Sequence, residues 1–267
     1  MKLHSHNYTV EMNLQSAEFQ LDDDGLAVFT KRCEEIGRKD PSFLDIFSLQ
    51  GSVLKYESET LLPENMDGSK QKVLLVLGNP ATHSVKNGMF FYSKANGDRH
   101  PFWGKMDKAG LVNAVPKTTR DEEANLRREM ILNGTSSDEY LVGLTTFYSF
   151  PTPGPDKMPF PGVAGVEKLF KQILEPVSKM ETKRILSYPF TDGAMVVFTQ
   201  QTSFQTFSHI SGIDPILWSM RRLSGVALAE LLANASPVDL KKDAPLSKFI
   251  KKLGLKLSEM YSAFSKP

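Results

Sequence analysis

The chain has 267 residues, 40% of them hydrophobic and 24% charged, and its net charge of +1 makes no global claim on nucleic acid. A single cysteine, Cys33, excludes an intramolecular disulfide and a Cys-based zinc site. The opening MKLHSHNYTVEMN lacks an apolar secretory core and no stretch approaches the ~20 apolar residues of a membrane span, so a cytoplasmic protein without a membrane partner is expected.

Residues 1–20 are polar, with room for one short strand. Leu26, Phe29, Cys33 and Ile36 recur at helical spacing behind Asp22, Asp23 and Asp24, and acidic residues favour the positive end of a helix. A helix is therefore expected over 25–39. Phe43, Ile46, Phe47 and Leu49 suggest a second short helix, and residues 50–70 read as loop. Val73 to Leu77 is a near-continuous aliphatic run, the pattern of a strand covered on both faces. Residues 78–101 follow as a long loop, then a helix over 103–109 and a charged helix over 118–132. Tyr140 to Tyr148 is rich in β-branched and aromatic residues and reads as a second strand ending in a Pro-rich loop. Val166, Leu169, Phe170, Ile173 and Leu174 form a helical stripe. Two more strands are expected over 185–188 and 194–198, then a hydroxyl-rich loop over 200–211 and a strong helix over 216–234. The tail from Leu240 to Phe264 alternates lysines with apolar residues; it is either a solvated helix face or a nucleic-acid contact.

Strands alternating with helices predict an α/β fold, a three-layer α/β/α sandwich around a mostly parallel four-stranded sheet. Right-handed crossovers would bring the loops after Leu77, Tyr148 and Phe198 to one edge, where open α/β folds bind ligands. No linker divides the chain. A single domain over 1–267 is expected, with an N-terminal helical extension (about 1–65) and a C-terminal Lys-rich helix (about 240–265).

Gly78-Asn79-Pro80 after the first strand is either a plain turn or an amide at the sheet edge able to hold a water or a carbonyl. Phe90-Phe91-Tyr92 either pins its loop or stacks a flat base. His83, His100 and His209 show no zinc spacing, and no metal or cofactor is expected. The chain has no phosphate-binding Gly-Lys-Ser/Thr loop, no dinucleotide glycine fingerprint and no G-x-S-x-G elbow, which removes three common α/β chemistries.

Read together, Asn79-Pro80, Gly88-Met89-Phe90-Phe91, Ala95-Asn96, Phe102-Trp103 and Ala109-Gly110-Leu111 resemble the first motif region of the uracil-DNA glycosylase superfamily. The similarity is greatest to its mismatch-specific uracil/thymine branch, with G-I-N-P-G, G-x-x-F, A-N, F-W and A-G in that order. Gly143, Leu144, Thr145, Pro151 and Thr152 match the family's G-[VL]-T strand and its Pro-bearing loop. The likeness covers about residues 70–175. Leu77 stands in the motif's first Gly place, Gly78 in its Ile place and Ala81 in its second Gly place. The family's second motif, H-P-S or N-P-S after the last strand, has no match in Thr199 to Phe204.

The resemblance implies a monomeric, cofactor-free enzyme of base excision repair, associated with nucleoid or nuclear DNA. Such an enzyme flips a damaged or mismatched base and hydrolyses its N-glycosidic bond. It gives Asn79 the water and Phe91 the stacking face, and Gln200, although no motif match, is the residue able to donate to the leaving base where the family has His or Asn. Gly78, Pro80, Asn96 and Ser203 complete the base site, and Lys86, Lys94, Arg99, Thr202 and the wedge candidate Phe204 contact DNA. No lysine occupies the attack position, so a monofunctional hydrolase is expected. A catalytically inactive nucleic-acid or nucleobase binder on the same fold, and an unrelated hydrolase on a similar sheet, are the alternatives.

Overall fold

The computed structural model describes residues 7–94, 97–154 and 162–240. In chain order its elements are β1 (Asn7–Asn13), α1 (Asp23–Lys39), β2 (Phe47–Gln50), β3 (Val53–Glu59), β4 (Gln71–Leu77), α2 (Thr82–Asn87), α3 (Phe102–Lys108), α4 (Arg120–Leu132), β5 (Tyr140–Thr146), α5 (Val163–Leu169), α6 (Leu174–Ser187), β6 (Ala194–Phe198), α7 (Gln201–Ser211), β7 (Ile216–Leu217) and α8 (Gly225–Ala233).

The aliphatic run of β4 is central because it has two buried faces. Leu74 and Val76 join a core with Val166, Leu169, Ile185 and Phe207 from α5, α6 and α7. Val73, Leu75 and Leu77 join the opposite core with Met106, Ile131 and Leu228 from α3, α4 and α8. Strands β5, β4, β6 and β7 pair in that order and every pairing is parallel. The fold is therefore a three-layer α/β/α sandwich. The chain leaves β4 for β5 on one side and later inserts β6 on the other, so the order reverses at β4 and opens a crevice beyond the strands' carboxyl ends.

Several segments depart from the sequence expectation. The N-terminal extension is not helical throughout: α1 stands beside an antiparallel sheet in the order β1-β3-β2. The helix expected around 43–49 is a 3₁₀ turn, Pro41–Asp45, followed by β2, and the loop expected over 50–70 contains β3. Leu54, Tyr56 and Ser58 point inward on β3, and the intervening Lys55 and Glu57 hide that period of two. The strand expected at 185–188 is the end of α6, whose buried Val177, Ser178, Glu181, Thr182 and Ile185 follow a helical stripe. The loop expected over 200–211 is α7, which buries Ser203, Phe207 and Ser211 four residues apart. Within 216–234, two residues form the fourth strand before α8 begins. The long loop after β4 carries α2. The Lys-rich tail beyond Leu240 lies outside the described residues.

Glu181 and Arg184 lock these layers together. Glu181 Oε1 accepts from the Ser149 backbone N–H at 2.6 Å, and Arg184 Nε donates to Glu181 Oε2 at 2.6 Å. Arg184 also donates to the Thr146 and Phe147 carbonyls at the end of β5. Tyr56 on β3 bonds Ser149 Oγ at 2.7 Å, which ties the antiparallel sheet to the same point. Beyond β3, Leu61 exchanges backbone bonds with Leu144 of β5 at 2.8 and 2.7 Å. The end of β3 is thereby held beside the carboxyl edge of the parallel sheet.

Candidate functional site

A pocket of about 590 Å³ opens at that edge. Its walls come from the segment after β4 (Asn79 to Ser84), the aromatic loop, Thr152 after β5, Gln200 after β6, Arg221 after β7 and Glu59 at the end of β3.

The loops after β4 and β5 are zipped together. Thr152 N–H donates to the Pro80 carbonyl at 3.0 Å and Thr82 N–H to the Thr152 carbonyl at 3.1 Å. This places the Asn79 amide against three acceptors: the Pro80 carbonyl at 3.1 Å, the Phe150 carbonyl at 3.3 Å and Thr152 Oγ1 at 2.9 Å. Carbonyls only accept, so the amide nitrogen must face them. Asn79 Oδ1 is turned the other way, towards Gly162, where an added Cβ would sit 3.7 Å from it. The result is a fixed acceptor on the pocket wall. Thr152 Oγ1 also accepts from the Gly162 N–H at 3.1 Å.

Gly78 is small for a steric reason. A Cβ there would lie 2.5 Å from Gln200 Nε2 and 2.6 Å from Val163 Cγ2. Gln200 therefore packs directly on the backbone of the first motif, so Asn79, Phe91 and Gln200 line one pocket.

Phe91 carries a left-handed backbone, φ 50°, costly for a bulky residue and usually tolerated only where surroundings enforce it. Its ring stacks on His100 at 4.4 Å and lies 4.3 Å from Phe102. The aromatic wall is thus a Phe91–His100 pair rather than a lone ring. His100 Nδ1 accepts from the Phe102 N–H at 3.2 Å. Burial, with Lys94 and His83 nearby, pushes its pKa down to about 4, so the ring is neutral at pH 7.

The remaining expected residues divide. Pro80 and Lys94 line the pocket, and Lys94 is exposed. Lys86 is paired with Asp45 at 2.6 Å and Arg99 with Glu123, and neither lines the pocket. Ser203 is buried at 1% exposure, away from the pocket lining. Thr202 is exposed on α7, and Phe204 packs edge-on against Phe198 at 6.4 Å rather than projecting as a wedge. Asn96 lies outside the described residues.

The last strand of the sheet is β7, not β6. The segment after the last strand is therefore Trp218 to Ser224, which exposes Arg221, Arg222 and Leu223, and not Thr199 to Phe204. Arg221, Glu59, Thr82 and His100 were not singled out as site residues by sequence. Only the pairing of β7 with Val197 and Phe198 reveals the place of Arg221. Among the described residues, no group of three or more His, Cys, Asp or Glu side chains could hold a metal ion, and no helix is long and apolar enough to cross a membrane.

No family model matches the chain, and no curated protein matches it.

Proposed function

We propose that this pocket takes a nucleobase flipped out of DNA and hydrolyses its N-glycosidic bond. The observation that carries the reading is the Asn79 amide of the pocket lining, whose nitrogen is held by Pro80, Phe150 and Thr152 so that Oδ1 is turned away from them as an acceptor at the sheet's switch point.

Asn79 Oδ1 accepts a hydrogen bond from a water and aims its oxygen at the sugar's anomeric carbon. The C–O bond forms as the C–N bond breaks through an oxocarbenium-like state, the bond's electron pair leaves with the base, and the proton released by the water ends on the departing base anion. An amide orients water but is a poor proton acceptor, so the rate gain comes from positioning and from support of the leaving base. Gln200, packed on Gly78, and the Arg221 guanidinium are the groups available for that support. The neutral Phe91–His100 pair offers a flat apolar wall, and the exposed lining residues Lys94 and Arg221 supply positive charge for phosphates.

The test is incubation with oligonucleotides carrying uracil, thymine mismatches or hypoxanthine, followed by alkali to reveal abasic sites. Cleavage that disappears in Asn79→Ala is expected. Salt-dependent DNA binding with no abasic product from any of these bases would instead identify a non-catalytic base binder. No histidine or amide occurs in Trp218 to Ser224, the observation that favours this second reading.

A further inference from the structure

One buried acidic side chain has no part in the chemistry above. Glu59 is 3% exposed and lines the pocket. Its backbone is fixed by the neighbouring Leu61–Leu144 pair and by Thr60 Oγ1, which donates to the Leu144 carbonyl at 3.1 Å. Yet neither carboxyl oxygen has a hydrogen-bond partner among the described residues. Arg128 is the opposing charge, but it donates to the Gly88 and Asn87 carbonyls at 2.9 and 3.1 Å and to Asn125 Oδ1 at 3.0 Å. Thr82 repeats the pattern: it is 1% exposed, lines the same pocket, and its hydroxyl lacks a partner. Buried polar groups in folded proteins are nearly always hydrogen-bonded. Two such groups lining one pocket point to the polar edge of a ligand.

We propose that Glu59 and Thr82 form the recognition wall of the pocket and take the pairing edge of a nucleobase, a ring N–H beside a ring carbonyl as in uracil; this rests on the base-excision reading of the same pocket. Burial holds the Glu59 carboxyl well above the usual range, and Arg128 opposes this only in part. A protonated carboxyl presents one O–H donor and one carbonyl acceptor side by side. The donor meets the ring carbonyl, the acceptor meets the ring N–H, and the Thr82 hydroxyl is available to a further ring oxygen. An ionised carboxylate would present acceptors only and would leave the ring carbonyl unmet.

The experiment is calorimetric titration of the full chain with free uracil and with 3-methyluracil, in which a methyl group replaces the ring N–H. Uracil is expected to bind at least about tenfold more tightly than its methylated form. Glu59→Gln presents the same donor–acceptor pair and should keep uracil affinity within about threefold, whereas Glu59→Leu should lose about tenfold or more and erase the difference between the two ligands. The comparison on the unsubstituted chain needs no variant, so a misfolded Glu59→Leu would not leave the proposal untested. Equal binding of the two ligands, no binding of uracil at millimolar concentration, loss in Glu59→Gln, or unchanged binding in a folded Glu59→Leu would each overturn it. The abasic-site assay separates the two readings. Glu59-dependent uracil binding without base release leaves recognition standing and removes the chemistry. Base release at an unchanged rate in Glu59→Leu leaves the chemistry and removes recognition by Glu59.

Discussion

Asn79 Nδ2 donates to Thr152 Oγ1 at 2.9 Å, a bond between the loops that follow two neighbouring parallel strands. The same nitrogen also faces two carbonyls, which only accept and so decide which end of the amide meets the pocket; the Thr152 bond tightens that placement. Thr152→Val removes the hydroxyl and leaves the Gly162 N–H without its acceptor. We expect about 1–3 kcal/mol of lost stability and, with the amide held by its two carbonyls alone and positioned less tightly, base release slowed about tenfold or more. Denaturant titration and single-turnover kinetics would check both. An unchanged rate would show that Thr152 does not set the amide.

Gly78→Ala should cost about 1–3 kcal/mol through overpacking, because its Cβ would fall 2.5 Å from Gln200 Nε2 and 2.6 Å from Val163 Cγ2. Adding Gln200→Ala should restore part of that loss, since the two changes share one space. Strict additivity in the double variant would mean that Gln200 does not pack where the structure puts it.

Glu59 sets a pH dependence of folding. Its folded-state pKa is raised above the ordinary value of 4.5 by burial. Below pH 4.5 the carboxyl is protonated whether the chain is folded or not, so it exacts no ionisation penalty there. As pH rises above 4.5 the unfolded chain ionises while the folded one resists, and stability falls. Glu59→Gln should therefore match the parent at pH 4 and exceed it in denaturant midpoint at pH 7.5. A constant difference across that range would contradict a buried neutral acid.

His100 acts in the opposite direction. Its pKa is pushed down to about 4 from 6.5, so stability should fall as pH drops below 6.5 and level off below about 4. Its NMR titration midpoint should lie near pH 4. His100→Ala should remove this slope and cost about 1 kcal/mol through the lost stack on Phe91.

Arg184→Met should be the most damaging of these changes, at about 3–5 kcal/mol, because it strands the buried Glu181 carboxylate and uncaps the Thr146 and Phe147 carbonyls. A loss below 1 kcal/mol would mean that the pair does not fasten α6 to β5.

The sequence alone determined the parts of this protein whose signal is local. The run Val73 to Leu77 carried the pattern of a strand buried on both faces, and β4 is that strand. The charged segment 118–132 read as a helix, and α4 is there, started by a capping box of Thr119 with Glu122. The position of Asn79 just past that strand followed from its neighbours in the chain. Tertiary structure decided the rest. Strand β3 hides its period behind Lys55 and Glu57, and α7 carries hydroxyls where an apolar stripe is expected. Strand β7 is two residues long and exists only because Val197 and Phe198 pair with it. Glu59 and Arg221 reach the pocket from opposite ends of the chain, so no spacing in the sequence could bring them together. Local propensity is written residue by residue, whereas burial of a polar group and pairing of a short strand depend on distant chain that folding supplies.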